Sequence, residues 1–531
     1  MRKKTILLLV LLSLSTSFYM APPKAHAPAI SFSFGAAGDY GYNSNTQLTF
    51  SKMGSSGLNF ALALGDLSYN QANAQTWCGA FKQQISNQAV EIITGNHDSG
   101  ETYPSSDTDN LNFFDSPGPL STSSQHSCPF TLPGATSITG LEGMEYYFDY
   151  PATNPLMRFV FVSAGIYWNQ PVINTTTQVG LYTIGRGNQW TYSPTENCPN
   201  NPTVGCHYYW TKNAIDNART AGIPFIVLML HKNCLTDGSN HTTCESGSDI
   251  MNLAVSEKVD LYITGHEHNY ERSVQLATNP STCPSITTSY NSACVVDPGP
   301  SIFNKGAGTI ILTIGTGGEG GYSCNGTGAW VIPQYFLQCQ NPTGSGGSFG
   351  FVSFTVTTAS LSGSFIPSTG SYADSFSIVA GAGSVAYGTQ ITLASGVRVP
   401  VQNVRVGDEV LLVDVNTGQL SRAVVYDIVT ANVHTLLTIH TVYGEPLRID
   451  ANPRLWIHVR LSTGEVTWKR ATMIVQGDML YNQYAGGWVT VTEVSLAESG
   501  QHLMFDLKTT PFGDYLANGY ADCPCKNGPG T

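Results

Sequence analysis

The sequence contains few charged residues. Only 11% of its 531 residues are Asp, Glu, Lys or Arg, whereas about a quarter is usual for a globular chain. It has no basic cluster beyond the first four positions, and its formal net charge is −12. Because phosphate contacts require clustered Lys and Arg, this composition argues against nucleic acid as a general partner. The surface must be covered by uncharged polar residues, a composition that is common in exported proteins.

The sequence also lacks a long hydrophobic run. A helix that spans a bilayer needs about 20 apolar residues, and no segment after the N-terminus meets that length. At the N-terminus, basic residues precede an apolar stretch from Ile6 to Leu14, and Ala25-His26-Ala27 forms a small-x-small cleavage site. We predict a signal peptide over residues 1–27 rather than a membrane anchor. The expected location is therefore secreted or at the cell surface, with no membrane span after signal removal.

The cysteines show no C-x-x-C pair, the spacing typical of thiolate zinc sites. They number 12, an even count that predicts disulfide bonds in an oxidising compartment. Proximity along the chain predicts the pairs Cys198/Cys206, Cys234/Cys244, Cys283/Cys294 and Cys324/Cys339, with Cys78/Cys128 as a fifth.

A chain of 531 residues is too long for one ordinary core, so we expect at least two domains. Residues 28–379 contain apolar runs of strand length without alternation, which is typical of strands buried on both faces in a layered α/β fold. "AGAG" at 380–383 predicts a linker. Residues 384–531 are rich in Val, Thr and Leu with strand-turn-strand spacing, which predicts a separate all-β domain.

Within the first domain, five apolar runs end in a cluster of Gly, Asp, Asn or His. Between the runs lie helix-compatible segments around Gln75–Asn87 and Trp210–Ala221, and residues 349–379 predict closing antiparallel strands. Ligands of such sheets gather outside the carboxyl ends of the strands. We therefore expect these polar side chains to converge on one edge: Asp39, Asp66, Tyr69, Asn96, His231, His266 and His268.

This set of side chains is a candidate metal site. Nitrogen and oxygen donors of this mix suit Zn, Fe or Mn. The set is too large for one catalytic zinc, which takes three protein ligands, and it fits two adjacent ions that share one carboxylate. Taken singly, each residue is more often a turn or loop residue, and the ordered set carries the prediction.

The ordered motifs resemble those of the calcineurin-like metallophosphoesterases, and within them the purple acid phosphatases. They stand here as GDYG (38–41), GDLSY (65–69), GNHD (95–98), LMLH (228–231) and GHEH (265–268), and the last continues as "NYER". The resemblance covers about residues 30–379. It implies a layered metallophosphatase β-sandwich flanked by helices.

The resemblance also implies a role for each donor. Asp39, Tyr69 and His268 would bind the first metal, expected to be Fe(III) because of the tyrosine. Asn96, His231 and His266 would bind the second, a divalent Zn, Mn or Fe, and Asp66 would bridge the two ions. A metal-held hydroxide would then attack phosphorus.

Three further residues are implied as catalytic. His97 follows the Asn ligand and would supply a proton to the leaving group. His241 lies in the loop after His231, where it is either near substrate or a solvated loop residue. Asp98 is expected to orient His97 or His231, and Glu267 is expected to face away from the metals.

The C-terminal domain resembles Hint domains, the fold of inteins and hedgehog autoprocessing modules. The resemblance rests on the segment that begins at Ser384 with "SVAYGTQITL" and on "FDLKTTPFGDYLANGY" at 505–520. It implies Ser384 as a nucleophile. The chain departs from the active pattern, because Asn452-Pro453 stands where a T-x-x-H histidine is expected and Ala521-Asp522 replaces the final His-Asn pair. Self-cleavage and an inert or adhesive β-domain are the alternatives.

The expected function is an exported dinuclear metallophosphatase that hydrolyses phosphate monoesters. The alternatives are a zinc or manganese phosphodiesterase or nucleotidase of the same superfamily, and a non-catalytic surface protein. The expected partner is a phosphate ester substrate. The sequence does not indicate an oligomeric state, the physiological substrate or the identity of the metals.

Overall fold

The computed structural model describes residues 31–85, 89–102, 132–168, 177–179, 182–184, 188–197, 205–357, 360–379, 385–433, 436–450, 455–461, 463–497, 502–510 and 513–522. The predicted signal peptide, the linker 380–383, Ser384, Asn452 and Pro453 lie outside these residues and stay predictions. The domain boundary at the linker also stays a prediction.

The first region combines strands with four described helices, α1 (Ser44–Gly54), α2 (Ala74–Gln84), α3 (Cys206–Thr220) and α4 (Ser248–Ser256). Both predicted helical segments are confirmed by α2 and α3. In chain order the strands are β1 (Ser31–Ala37), β2 (Phe60–Ala63), β3 (Ala89–Ile92), β4 (Thr139–Leu141), β5 (Glu145–Tyr150), β6 (Met157–Phe161), β7 (Tyr167–Trp168), β8 (Thr177–Val179), β9 (Tyr182–Ile184), β10 (Asn188–Gln189), β11 (Phe225–Met229), β12 (Leu261–Thr264), β13 (Tyr270–Leu276), β14 (Val295–Asp297), β15 (Ile302–Asn304), β16 (Thr309–Ile314), β17 (Phe336–Gln340), β18 (Gly350–Thr357), β19 (Ser360–Pro367) and β20 (Ser375–Val379).

These strands form two large mixed sheets. The first has the order β15-β20-β19-β18-β1-β2-β3, in which β1, β2 and β3 are parallel and β18 to β20 are antiparallel, as predicted. The second has the order β14-β13-β16-β12-β11-β6-β5-β4, with β17 paired to β13, and its central strands β6, β11, β12 and β16 are parallel. Parallel strands that are covered on both faces explain the apolar runs without alternation.

The two sheets pack face to face through aromatic side chains. Phe34 on β1 lies 5.0 Å from Phe159 on β6, and Phe60 on β2 lies 6.3 Å from Phe148 on β5, measured between ring centroids. Helices cover the outer faces. Phe50 of α1 packs edge-on against Trp77 of α2, and α3 and α4 lie against the second sheet, held by hydrogen bonds to Arg158 and Thr309. The predicted β-sandwich with flanking helices is confirmed.

The C-terminal region is all-β in its described part, as predicted. Its strands form one sheet with the order β23-β22-β33-β24-β25-β32-β21-β27-β26-β31-β30-β28-β29, and β34 joins β30 and β33. Its buried apolar clusters share no member with the cluster of the first region. The strands are β21 (Val385–Ala386), β22 (Gln390–Thr392), β23 (Arg398–Pro400), β24 (Glu409–Val413), β25 (Leu420–Val433), β26 (Leu436–Thr441), β27 (Leu447–Asp450), β28 (Trp456–Arg460), β29 (Val466–Arg470), β30 (Met479–Asn482), β31 (Gly487–Ala497), β32 (His502–Thr510), β33 (Tyr515–Ala517) and β34 (Tyr520–Asp522).

One strand-to-strand connection occurs twice in this sheet. Residues 401–408 and 471–478 each begin with a 3₁₀ turn and end in Gly-Asp. The glycines have φ of 94° and 95°, and each aspartate accepts a hydrogen bond from the backbone N–H three residues earlier. The left-handed backbone favours glycine at both positions. The C-terminal sheet therefore contains an internal structural repeat.

Three of the predicted disulfides are confirmed: Cys234–Cys244, Cys283–Cys294 and Cys324–Cys339. Cys78 and Cys206 are also disulfide-bonded, but their predicted partners, Cys128 and Cys198, lie outside the described residues. No helix in the described part of the chain has the length and apolarity that crossing a membrane requires.

Candidate metal centre

The loops that follow β1, β2, β3, β11 and β12 meet at one edge of the sandwich, where the two sheets come together. Backbone hydrogen bonds join the loops within each sheet, from Asp39 N–H to Gly65 O at 3.1 Å and from Gly265 N–H to His231 O at 3.0 Å. Between the sheets, His231 Nδ1 lies 2.8 Å from Leu64 O. The convergence expected at the strand ends is therefore present.

One group of donors consists of Asp39, Tyr69 and His268. The Tyr69 hydroxyl donates to Asp39 Oδ1 at 2.9 Å and lies 2.8 Å from His268 Nε2. His268 Nε2 is 3.4 Å from Asp39 Oδ1. A carboxylate, a phenol and an imidazole from three separate loops thus point at one position, which matches the set predicted for the first metal.

A second group consists of Asn96, His231 and His266, with Asp66 beside it. His231 Nε2 is 3.1 Å from Asn96 Oδ1 and 3.3 Å from Asp66 Oδ1. Ligand atoms of Asp66, His231 and His266 all lie within 4.8 Å of one another. Asp66 also interacts with the Tyr69 hydroxyl of the first group. Its carboxylate is therefore adjacent to both groups.

The backbone is strained at these residues. Asp39, Asp66, Tyr69 and His266 have φ values of 60°, 52°, 50° and 70°. A non-glycine residue in the left-handed region costs about 1–3 kcal/mol and such residues cluster at functional sites. Four such residues among seven candidate donors indicate that the fold gives up stability to aim these side chains.

The pKa shifts of the donors indicate whether these side chains are in the protonation states that bind metal ions. Burial lowers the pKa of His266 to about 3, so its imidazole is neutral, which is the form that ligates metals. Burial would raise the pKa of Asp66, but His231 and His97 bring it well below the ordinary value, and the carboxylate is ionised. Both residues are therefore in their ligating forms at neutral pH.

Two other donors need a cation to reach their ligating forms. Burial and then the charge of Asp39 raise the pKa of Tyr69 well above its ordinary value. Burial alone would lower the pKa of His231, but the Asp66 carboxylate raises it to about 9. A bound cation replaces these protons, because metal ligands must be deprotonated. The seven side chains fit a pair of metal ions in donor type, number and position.

His97 and His241, predicted as catalytic, both reach this edge. The backbone N–H of His97 donates to Asp66 Oδ1 at 2.9 Å, and the His97 ring centroid lies 4.3 Å from that of Tyr69. The His241 ring lies against the His266 ring, with a centroid distance of 3.5 Å and an interplanar angle of 30°, and its side chain is 22% exposed. The structure thus brings the His241 ring against His266, and a place near substrate stays a prediction.

Asp98 supports the loop that carries Asp66. Its Oδ2 accepts hydrogen bonds from the N–H groups of Asp66 at 2.7 Å and Gly95 at 3.0 Å, and its Oδ1 accepts from Leu67 at 3.0 Å. These hydrogen bonds hold the backbone of two ligand loops. The orientation of His97 or His231 by Asp98 stays a prediction.

Glu267 has a function that the sequence did not reveal. It is fully buried, and its carboxylate accepts from the backbone N–H groups of Ser239, Asn240 and His241 at 2.9, 3.1 and 2.6 Å. These hydrogen bonds fasten the loop that presents His241.

Other residues at the site were missed altogether. Glu245 Oε1 lies 2.9 Å from His241 Nδ1, and its Oε2 lies 3.1 Å from His266 Nε2, so one carboxylate orients both rings. Tyr322 stacks on His268 at 4.3 Å with an interplanar angle of 15°. Lys232 and Glu101 pair at 2.9 Å beside Glu245. Only Lys232 had a sequence signal, since it directly follows the predicted ligand His231.

The segment of the chain that carries this site matches a known family model. Residues 33–270 match the family model of the calcineurin-like phosphoesterases. The chain carries a calcineurin-like phosphoesterase domain. All seven predicted donors of the phosphoesterase domain fall inside the matched segment, whereas Tyr322 lies beyond it.

Curated relatives match a short part of the chain. Two uncharacterised proteins of Mycobacterium tuberculosis, from strains CDC 1551 / Oshkosh and ATCC 25618 / H37Rv, are each 29% identical over 140 residues, which is 26% of this chain. The chain spans about a quarter of the length of these relatives, with 24% of each covered.

Solved structures are similar to two different parts of the chain. A purple acid phosphatase from yellow lupin seeds (Lupinus luteus) covers 66% of this chain and 54% of its own, at 14% identity and a TM-score of 0.39. An intein-like domain from Clostridium thermocellum covers 27% of this chain and 99% of its own, at 19% identity and a TM-score of 0.24.

Proposed function

We propose that the protein is an exported metal-dependent phosphatase that hydrolyses phosphate monoesters at a centre of two metal ions. The observation that supports this proposal is the convergence of seven oxygen and nitrogen donors on one edge of a calcineurin-like phosphoesterase domain. Two neighbouring ions are suited to displacement at phosphorus, because they contact both the attacking and the leaving oxygen.

In this proposal each donor group holds one ion. Asp39, Tyr69 and His268 would hold a ferric ion, since phenolate favours Fe(III), and Asn96, His231 and His266 would hold a divalent Zn, Mn or Fe. Asp66, whose carboxylate is adjacent to both groups, would serve both ions. When bound, the ions supply Lewis-acid charge for the phosphoryl oxygens and lower the pKa of a water molecule.

The chain's own residues orient the ester and move protons. His241 is held at Nδ1 by Glu245, its Nε2 lies 3.2 Å from Asn240 Nδ2, and its ring lies against that of His266. In this proposal His241 exchanges the Asn240 contact for the ester and donates to the leaving oxygen or a phosphoryl oxygen. The His97 ring lies beside that of Tyr69, its Nε2 is 3.9 Å from Asp66 Oδ2, and in this proposal it is the second proton donor. Leu64 O and Glu245 fix the rings of His231 and His266.

Export is part of the proposal. It is supported by the predicted signal peptide and by three disulfides in the described residues, since structural disulfides persist in oxidising compartments.

The test is hydrolysis of a panel of phosphate esters across pH by protein of known metal content. We expect hydrolysis of an aryl phosphate monoester and a visible tyrosinate-to-iron absorption band. A colourless, iron-free preparation that prefers diesters would support the zinc or manganese phosphodiesterase instead. Absence of hydrolysis with both ions bound would support a non-catalytic protein.

A further inference from the structure

Lys232 is a buried cation at the edge of the metal centre. It directly follows His231, and its side chain is 5% exposed. Its Nζ lies 2.9 and 3.3 Å from the two carboxylate oxygens of Glu101, and 3.6 Å from Glu245 Oε2. A desolvated ammonium between two carboxylates is held by electrostatic attraction that bulk solvent screens only weakly.

Both carboxylates belong to the surroundings of the second donor group. Glu245 Oε2 is 3.1 Å from His266 Nε2, so a single carboxylate oxygen separates Lys232 from a metal donor. Glu101 lies in the loop after Asn96, and that loop is tied back by a hydrogen bond from Thr102 N–H to Asn96 O. Lys232, Glu101 and Glu245 therefore form one charged cluster beside the donors, here called the rim triad.

The rim triad carries one net negative charge, from two carboxylates and one ammonium. The neighbouring sequence offers no other cation to offset it, because residues 83–157, which include Asn96 and His97, contain no Lys or Arg. Without Lys232, the two carboxylates of the rim triad would be uncompensated and would weaken the attraction of the metal ions for an approaching phosphate. The repulsion between these carboxylates and the substrate depends on the charge of the substrate, because Coulomb energy is proportional to each charge.

We propose that Lys232 is a specificity-determining residue that admits doubly charged phosphate monoesters by neutralising one carboxylate of the rim triad. The inference rests on the proposed function and extends it to substrate choice. Above the second phosphate pKa of about 6 a monoester is a dianion, whereas a diester is a monoanion. Lys232 then favours the monoester through charge alone, without contacting the phosphoryl group.

The experiment compares KM for p-nitrophenyl phosphate and bis(p-nitrophenyl) phosphate at pH 7 and low ionic strength, in metal-loaded full-length protein. For Lys232→Gln we expect KM to rise on the order of tenfold for the monoester and about threefold for the diester, because the diester has half the charge. Glu101→Gln should lower the two KM values by similar factors. Lys232→Arg should restore the wild-type ratio, and 0.5 M NaCl should shrink every difference.

The chain contains a matched control. Lys212 also lies between two carboxylates, 2.9 Å from Asp216 and 2.8 Å from Glu257, on helix α3 away from the metal centre. Lys212→Gln should leave both KM values unchanged. Inhibition by inorganic phosphate provides a second readout, and its Ki should follow the KM of the monoester.

Two results would overturn the inference while the proposed function stands. One is an equal change of KM for both esters in Lys232→Gln, and the other is an unchanged or raised monoester KM in Glu101→Gln. If the wild-type protein hydrolyses neither ester, the proposed function fails, and the inference fails with it.

Discussion

At the scale of single residues, the candidate centre includes buried side chains that hold other site residues in position. Glu267 stands between the two predicted ligands of GHEH, yet its carboxylate accepts three backbone N–H groups of the His241 loop. Burial raises its pKa, and the backbone hydrogen bonds work against that rise. The residue therefore couples the position of His241 to the strand that delivers both His266 and His268.

Replacing Glu267 tests this positioning function. Glu267→Gln keeps the shape but substitutes an NH₂ group for one acceptor oxygen, so a buried N–H loses its partner at a cost of about 1–3 kcal/mol. We expect kcat to fall on the order of tenfold with both metal ions retained. Glu257→Gln, which removes an ion pair between the end of α4 and Arg219 of α3, is the control. Unchanged kcat in Glu267→Gln would refute the positioning function.

The buried ion pair of His207 with Glu145 predicts that the stability of the fold depends on pH. His207 Nδ1 lies 2.7 Å from Glu145 Oε2. Burial alone would lower the pKa of His207, but Glu145 raises it above the ordinary value. A raised histidine pKa contributes stability that is fully present below the unfolded pKa of about 6.5 and is lost as pH rises through the folded pKa.

The comparison is urea unfolding of wild type and His207→Gln in the full chain. At pH 6 the free energy of unfolding of the wild type should exceed that of the variant by about 1–2 kcal/mol. This difference should shrink as the pH rises above the folded pKa of His207. A difference that grows with pH would show that the pair is held by something other than the charge on His207.

At the scale of elements, the loop from Cys234 to Cys244 carries His241 and leads into Glu245. Its disulfide closes the loop, and hydrogen bonds from the N–H groups of Glu245 and Ser246 to Asn233 O align its two ends. A closed loop has fewer alternative conformations to lose when it presents a side chain. We therefore expect the cystine to matter for catalysis as well as for stability.

Paired serine substitutions separate these two effects. Cys234→Ser with Cys244→Ser should lower kcat several-fold at unchanged metal content, because His241 and Glu245 lose their fixed geometry. Cys283→Ser with Cys294→Ser opens a loop of nearly equal length, with a sequence separation of 11 against 10, and should leave kcat unchanged. Equal kcat losses in the two double variants would mean that the effect is general destabilisation.

The sequence predicts some of the structural elements that build the site and does not predict others. The strands that lead to the predicted donors are predictable, because an uninterrupted apolar run that stops at a polar cluster is typical of a buried strand entering a loop. Tyr322 is not predictable, since it reaches His268 from a Gly-rich loop without periodicity. The repeat in the C-terminal sheet is hidden in the sequence because its two copies share little beyond Gly-Asp and lie far apart in the chain.

At the scale of the whole molecule, the metal centre exists only because two sheets meet. The first sheet contributes Asp39, Asp66, Tyr69 and Asn96, and the second contributes His231, His266 and His268. The contact of His231 with Leu64 O joins them. The pairing of the sheets was implied by the family resemblance and could not be worked out from residue spacing, since their interface is set by aromatic packing between distant strands.

The C-terminal domain bears on the size of the mature protein. We expect a single chain of 56.9 kDa less its leader, because the T-x-x-H histidine is replaced at Asn452-Pro453 and the final His-Asn pair by Ala521-Asp522. The resemblance implies that these groups activate the acyl shift at Ser384, so we expect their replacement to prevent it. Intact-mass spectrometry of the purified protein checks this, and two pieces split near Gly383 would contradict it.

The central claim is that seven side chains from two sheets hold two metal ions, and metal analysis of the purified chain tests it most directly. We predict two ions per chain in the wild type, at least one of them iron, and loss of metal with loss of hydrolysis in Asp66→Ala that remains folded. A folded wild-type chain that binds one ion or none, or an Asp66→Ala variant that keeps both ions and full activity, would contradict the account.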